Sequence, residues 1–195
     1  MDKARIIEFF NRLAPQWDAE MVRNEPVISR ILDLADIRGG VTVLDVGCGT
    51  GVLLPDYLAR GVASVTGVDI SPEMIRCAQE KFDSDPRVTL RIADVMDTDF
   101  AAPFDRCVVY NAFPHFSDPA RLLDRLADNL VSGGRLTGAH GMSRERIDAH
   151  HMGAARDVSC GLPSADALAA LFDKRFAVDQ VVSDEEMYLV SGVKK

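Results

Sequence analysis

Asp45, Asp69 and Asp94 each stand at or near the end of an apolar, β-branched run: Val43-Leu44-Asp45-Val46, Val65-Thr66-Gly67-Val68-Asp69 and Val88-Thr89-Leu90-Arg91-Ile92-Ala93-Asp94. An ionised carboxylate can only accept hydrogen bonds, so three of them in equivalent places suit a ligand rich in donors, such as a sugar diol or an exocyclic amine. The first is followed at once by Gly47-Cys48-Gly49-Thr50-Gly51. Glycines there remove Cβ atoms where the chain must turn tightly and where a ligand comes closest to backbone. Helical pattern resumes at Val52-Leu53-Leu54, so amides of that helix's first turn, with their partial positive charge, are expected to face whatever rests on the glycines. Histidine supplies the remaining chemistry. His115, His140, His150 and His151 all follow the carboxylates in the chain, and a neutral imidazole can take a proton near pH 7.

The elements that must position these residues follow from pattern. Short apolar runs of this kind read as strands of a parallel sheet covered on both faces. Ser71-Pro72-Glu73 carries the signals of a helix start: an N-cap, proline at the first position and an acid in the first turn. A fourth strand is expected at Cys107-Val108-Val109-Tyr110, a helix from Pro119 to Leu130 ending at Ser132-Gly133-Gly134, and a fifth strand at Arg135 to Ala139. After a helix beyond Pro163, Phe176 to Val182 and Met187 to Val193 read as an antiparallel hairpin across Ser183-Asp184-Glu185. Upstream, a helix through Ile6, Phe9, Phe10 and Leu13 is expected to break at Pro15, and a second to run from Pro26 to about Ile37. Ligands of open parallel sheets bind outside the carboxyl ends of the strands, which places all three acids on one rim.

Glycine spacing narrows the ligand. A nicotinamide fingerprint, G-x-G-x-x-G, would need its third glycine at Val52, and no lysine follows to make a Walker-type phosphate loop. The acid-x-G-x-G-x-G loop with acids closing the second and third strands instead resembles the class I S-adenosylmethionine-dependent methyltransferase family, over roughly Asp45 to His140. The resemblance implies a doubly wound, mostly parallel seven-stranded α/β sheet, Rossmann-like, in the order 3-2-1-4-5-7-6. It implies one domain spanning 1–195, with a helical lid over 1–38 and the core over 39–195. The cofactor would be S-adenosyl-L-methionine and its product S-adenosyl-L-homocysteine. Gly47, Cys48, Gly49 and Gly51 would wrap the methionine and ribose portion, and Asp45 would help to hold the methionine ammonium. Asp69 would accept the ribose hydroxyls, Ile70 would pack on the adenine face, and Asp94 with the Val95 amide would address the adenine edge. Asn111, closing the fourth strand, completes the cofactor set. Cys48 reads as a packing residue, with no base or partner cysteine near it in sequence.

The acceptor should meet the ends of the fourth and fifth strands. His140 follows its strand directly and is the first candidate base, with His115 next; Phe10, Trp17, Phe113 and His151 are expected on the substrate side. Small-molecule members of the family often open with an aromatic-plus-acid segment similar to Phe10-Asn11-Arg12-Leu13-Ala14-Pro15-Gln16-Trp17-Asp18, folded over the cofactor. Asn111 has a superficial similarity to the Asn-Pro-Pro-aromatic motif of amino-group methyltransferases, but Ala112 and Phe113 replace both prolines, which argues against methylation of a nucleobase amine.

Composition bounds the rest. With 195 residues, 47% hydrophobic, the chain can fold as one domain. A net charge of −8 argues against a nucleic-acid substrate, so the expected partner is a small-molecule acceptor, with oligomeric state open. Cys48, Cys77, Cys107 and Cys160 show no C-x-x-C spacing, which suits reduced thiols in a cytoplasmic protein. No long apolar run marks a signal peptide or membrane span. Two rival readings stand beside the enzyme: a metal or metal-complex binding protein using His140 with His150 or His151, and His115 or Cys160 as further ligands, or a non-catalytic module that binds the cofactor.

Overall fold

A computed structural model describes residues 2–152 and 156–195, and of His150, His151 and Met152 only the backbone. The apolar runs form β1 (Thr42–Val46), β2 (Ser64–Asp69), β3 (Val88–Ile92), β4 (Phe104–Tyr110), β5 (Leu130–His140), β6 (Phe176–Ser183) and β7 (Tyr188–Lys194). They make one sheet in the order β3-β2-β1-β4-β5-β7-β6. β1 to β5 pair in parallel, and β7 lies antiparallel between β5 and β6. Register aligns Asp45 with Gly67 and Asp69 with Ile92, so the carboxyl ends of β1, β2 and β3 finish on one rim.

The helices are α1 (Lys3–Glu20), α2 (Glu25–Leu34), α3 (Leu54–Ala59), α4 (Pro72–Phe82), α5 (Pro119–Asp128), α6 (Arg144–Met152) and α7 (Ala165–Phe172). Their starts are set locally. Ser71, Asp118 and Ser164 each accept a hydrogen bond from the backbone three residues on, at 3.2, 3.0 and 3.2 Å, as side-chain N-caps do. Strand residues alternate between two helical layers. Val43 and Val108 pack with Ile28, Leu32, Leu54 and Tyr57 from α2 and α3, whereas Leu44, Val46 and Val109 pack with Leu122, Leu126, Leu168 and Phe172 from α5 and α7.

Several boundaries differ from those read in the sequence. α1 does not break at Pro15 but continues to Glu20. Proline removes one donor and disfavours a helix interior, yet here Ala14 is buried and the Cys77 thiol of α4 reaches the Ala14 carbonyl at 3.7 Å; packing on α4 outweighs the local penalty. α2 ends at Leu34, and its Val27, Ile28, Ile31 and Leu32 are buried against the sheet, so it belongs with the core rather than with a lid over 1–38. α3 begins only at Leu54, three residues beyond the last glycine, so the turn itself, not a helix end, supplies the amides at the rim. Ser132-Gly133-Gly134 does not end a helix but lies within β5, where Gly133 has φ +74° and the pairing with β4 shifts register between Phe104 and Arg106.

Leu126 has no exposed surface and sits in the larger core layer. Leu126→Ala is expected to lower unfolding free energy by about 2–5 kcal/mol, read from denaturant midpoints at unchanged slope.

Candidate functional site

A cavity of about 850 Å³ opens at the carboxyl ends of the parallel strands, towards the upper end of the ~300–1,000 Å³ usual for ligand sites. Of the residues singled out in the sequence, Asp45, Gly47, Cys48, Gly49, Asp69, Ile70, Asp94, Val95 and Asn111 line it, as do Phe10, Trp17, His115 and His140. Two do not. Gly51 is buried below the rim with φ +82°, where a Cβ would meet Leu54 at 2.8 Å and Phe82 at 3.0 Å; it lets the turn pack on α4. Phe113 points into the core, 2% exposed, with Leu122, Leu136 and Phe172, because the 3₁₀ turn Phe113–His115 turns Phe113 inward and leaves His115 at the cavity. His151 lies in α6, its side chain outside the described residues.

The glycine turn is held by β2. Gly47 and Cys48 both donate to the Val68 carbonyl at 2.8 and 3.1 Å, and Gly49 donates to the Asp69 carboxylate at 2.9 Å. The other Asp69 oxygen accepts from Ser71 at 2.8 Å. Gly47, at φ +69°, stands where a Cβ would come within 2.6 Å of Ala112 beyond β4, so it lets the rims of β1 and β4 close up. Burial pushes the Asp69 pKa up despite the three backbone amides, of Ser71, Gly49 and Ile70, that favour its charged form. Asp45, 2% exposed, makes no ion pair among the described residues; burial, and then the nearby Asp69 charge, raise its pKa to about 7. The Cys48 thiol is pushed well up by burial and these same acids, which keeps it neutral and unreactive.

α1 roofs the cavity, and polar contacts fasten it to each cofactor-side loop. Lys3 pairs with Asp94 at 2.5 Å and Asp97 at 2.9 Å. The Asn11 side-chain oxygen accepts from the Ser71 hydroxyl at 2.7 Å. Thr50 donates to Asp18 at 2.5 Å, and Lys81 reaches the other oxygen of Asp18 at 2.6 Å. Just past α1, Arg23 bonds the Val52 carbonyl and pairs with Asp56 at 2.8 Å. Beneath the helix, Ile6, Phe9 and Phe10 pack with Ile70 and Val158.

Just past β4, Asn111 sits at φ +53°, an uncommon conformation for a residue other than glycine. Its amide donates to the Ala139 carbonyl at 2.9 Å and its side-chain oxygen accepts from Gly141 at 3.0 Å, stitching the ends of β4 and β5 together. A Cβ at Gly141 would clash with the Tyr110 hydroxyl. The His115 Nδ1 lies 2.7 Å from the Val158 carbonyl; a carbonyl only accepts, so Nδ1 carries the proton and Nε2 is the acceptor nitrogen of the neutral ring. Phe10 meets this ring edge-on at 5.0 Å. His140 is buried at the end of β5, its ring 6.0 Å from that of Tyr188. Among the described residues no three His, Cys, Asp or Glu side chains come together as a metal site. Tyr110 and Met142, from the strand ends expected to meet the acceptor, also line the cavity, as do Arg146 and Ile147 of α6; these last two were not foreseen, since only the histidines drew attention to that helix.

A family profile described as a methyltransferase domain matches residues 43–134. The ubiquinone biosynthesis O-methyltransferase of Xylella fastidiosa strain 9a5c is 42% identical over 100 residues, covering 50% of this chain and 40% of that protein. The malonyl-[acyl-carrier protein] O-methyltransferase of Acetivibrio thermocellus is 30% identical over 139 residues, covering 70% and 49%. The chain thus spans about half the length, or less, of these curated relatives. The N-methyltransferase NodS from Bradyrhizobium japonicum WM9, solved with S-adenosyl-L-homocysteine, superposes over 100% of this chain and 99% of its own with a TM-score of 0.75 at 16% identity, a likeness of fold. Residues 43–134 thus match a methyltransferase-domain family, and the chain is similar to S-adenosylmethionine-dependent methyltransferases in sequence over that region and in fold throughout.

Asp45 gives the site a pH signature. Its pKa is raised from 3.8 to about 7 on folding, so the folded protein keeps a proton that the unfolded chain has already released. Its contribution to stability is therefore full below about pH 4 and is lost as pH rises through about 7. Relative to Asp45→Asn, the wild type without ligand should lose roughly 2–3 kcal/mol between pH 5 and pH 8, read from urea unfolding; parallel profiles would show that Asp45 is charged throughout.

Proposed function

We propose that this domain transfers a methyl group from S-adenosyl-L-methionine to an oxygen of a small-molecule acceptor by in-line displacement, with histidine assistance. The observation that carries this reading is the convergence of three acid-closed strands and one glycine turn on a cavity that His115 and His140 also line. The residues fit the cofactor. A buried carboxylate with a raised pKa and no ion pair among the described residues is stabilised in its charged form by a cation, and the cofactor carries both an ammonium and a sulfonium. In this reading Asp45 holds the ammonium, Asp69 the ribose diol, and Asp94 with Val95 the adenine edge, while Ile70 packs on the ring. When bound, the cofactor supplies a methyl group already activated on sulfur.

What is left to the protein is alignment and dryness. Phe10 and Trp17 on α1 cover the cavity and keep water from the reacting end. The edge contact from Phe10 and the Nδ1 bond to Val158 hold the His115 ring, so its Nε2 can accept the proton of an acidic hydroxyl as the oxygen attacks. His140, on the adjacent strand, is buried at the same end and contributes a second polar contact to the acceptor. Both relatives named above are O-methyltransferases by their descriptions, which supports oxygen as the acceptor atom. The acceptor diffuses in as a small molecule; among the described residues no helix is long and apolar enough to cross a membrane.

Turnover of labelled S-adenosyl-L-methionine against a panel of phenols and carboxylic acids tests the reading. His115→Ala is expected to lower turnover by about two to four orders of magnitude while leaving S-adenosyl-L-homocysteine affinity nearly unchanged. His140→Ala should chiefly raise KM. If only His140→Ala lowers turnover, the proton passes to the buried histidine instead; if neither does, the chemistry rests on alignment alone.

A further inference from the structure

Charge in the cavity is sorted by position. The chain has 30 acidic and 22 basic residues, and most of its arginines are tied to carboxylates. Four basic side chains line the cavity: Lys3, Arg12, Arg121 and Arg146. Lys3 and Arg121 are held by Asp94 and Asp97 beside the expected adenine edge, at 2.5 to 3.9 Å. Arg12 lies over the Phe9 ring at 5.7 Å and, like Arg146, makes no ion pair among the described residues. The sequence of α6 offers Arg146 no acid either. The positions three and four residues away, where helical side chains meet, are Met142, Ser143, Ala149 and His150. Its neighbour Arg144, by contrast, pairs with Asp148 at 3.7 Å.

Arg146 therefore brings an uncompensated positive charge to the same end of the cavity as His140, Met142 and Ile147. The buried carboxylates Asp45 and Asp69, where a cationic methyl donor would lie, stand on β1 and β2, across β4 from the end of β5. A guanidinium presents a planar fork of donors that matches a carboxylate or phosphate, and Arg146, exposed while lining the cavity, keeps that fork open to an incoming group. We propose that the methyl acceptor carries an anionic group, a carboxylate or a phosphate, and that Arg146 holds this group at the outer wall of the cavity with its reactive hydroxyl turned towards His115. Arg12, on the roofing helix above, adds to the positive field. The proposal deepens the methyl-transfer reading and rests on it for the identity of the donor, but the anion site is defined by Arg146 alone.

Trp17 is the only tryptophan and lines the cavity, so its fluorescence reports occupancy directly. Titrations of the protein loaded with S-adenosyl-L-homocysteine would compare 3,4-dihydroxybenzoate and phenyl phosphate with the neutral catechol and phenol. The wild type should bind at least one of the two anions about tenfold or more tightly than its neutral counterpart, an advantage of the size expected for one charge-assisted pair. Which anion gains more identifies the group. Arg146→Gln should erase that advantage while leaving catechol binding, S-adenosyl-L-homocysteine affinity and melting temperature unchanged; Arg146→Lys should restore part of it. The proposal is overturned if neutral and anionic probes bind alike, if the preference survives in Arg146→Gln, or if no probe changes the fluorescence. Calorimetry with S-adenosyl-L-homocysteine separates the two failures. Absence of cofactor binding would sink the methyl-transfer reading, and the same titrations repeated without the cofactor would still decide for or against the anion site.

Discussion

The Asp69 carboxylate bridges two loops, and the rest of the site depends on that bridge. One oxygen accepts from Gly49 in the turn after β1, and the other from Ser71 at the start of α4. With Gly47 and Cys48 both bonded to the Val68 carbonyl, the glycine turn is written onto the end of β2 rather than onto a helix of its own. That explains how a turn of three glycines, each costly to order, keeps one shape although α3 starts late and spans only Leu54–Ala59. Leaving either amide without an acceptor in this buried setting would cost about 1–3 kcal/mol, so the carboxylate is a structural as well as a ligand-facing group.

A second layer of order is built on the first. Ser71 also donates to Asn11, and Thr50 in the glycine turn donates to Asp18, so the loops that Asp69 bridges are the ones that hold α1. Individually such half-buried hydrogen bonds contribute modestly, and the exposed ion pairs beside them little. Distributed from Lys3 to Arg23, they fix which face of α1 looks down, and that face carries Phe10 and Trp17. The same loops thus define the floor and the roof of the cavity, and anything that rearranges one on ligand binding is felt by the other. Lys3 sharpens this link, since it pairs with Asp94, the acid proposed to meet the adenine edge.

Most of the frame was legible in the sequence because its signals are local. Apolar runs, acids at strand ends, the Ser71 cap and the hairpin over Ser183 each depend on neighbouring residues, and the family resemblance supplied the strand order. That the three acids and the glycine turn meet on one rim was legible for the same reason. What escaped depends on residues distant in the chain. Pro15 reads as a break until α4 is packed beside it. Phe113 sits beside the right strand end, but whether its ring faces cavity or core is decided by the 3₁₀ turn that follows. Val27 to Leu32 read as lid until the sheet behind them is in place. The tethers of α1 join residues about 30 to 90 positions apart, and Arg146 stands out only once it is seen, in three dimensions, to line the cavity without an ion pair among the described residues.

The account stands most directly on Asp69, and calorimetric titration of S-adenosyl-L-homocysteine into the wild type and Asp69→Asn tests it. The amide is the same size but can accept through one oxygen only and places an NH₂ group against a backbone donor. The account predicts a folded variant whose affinity falls by about tenfold to a hundredfold, the equivalent of roughly 1.5–3 kcal/mol for lost hydrogen bonds to a charged group. Unchanged affinity in a folded Asp69→Asn protein would contradict it, showing that neither the loop bridge nor the ribose contact runs through this carboxylate.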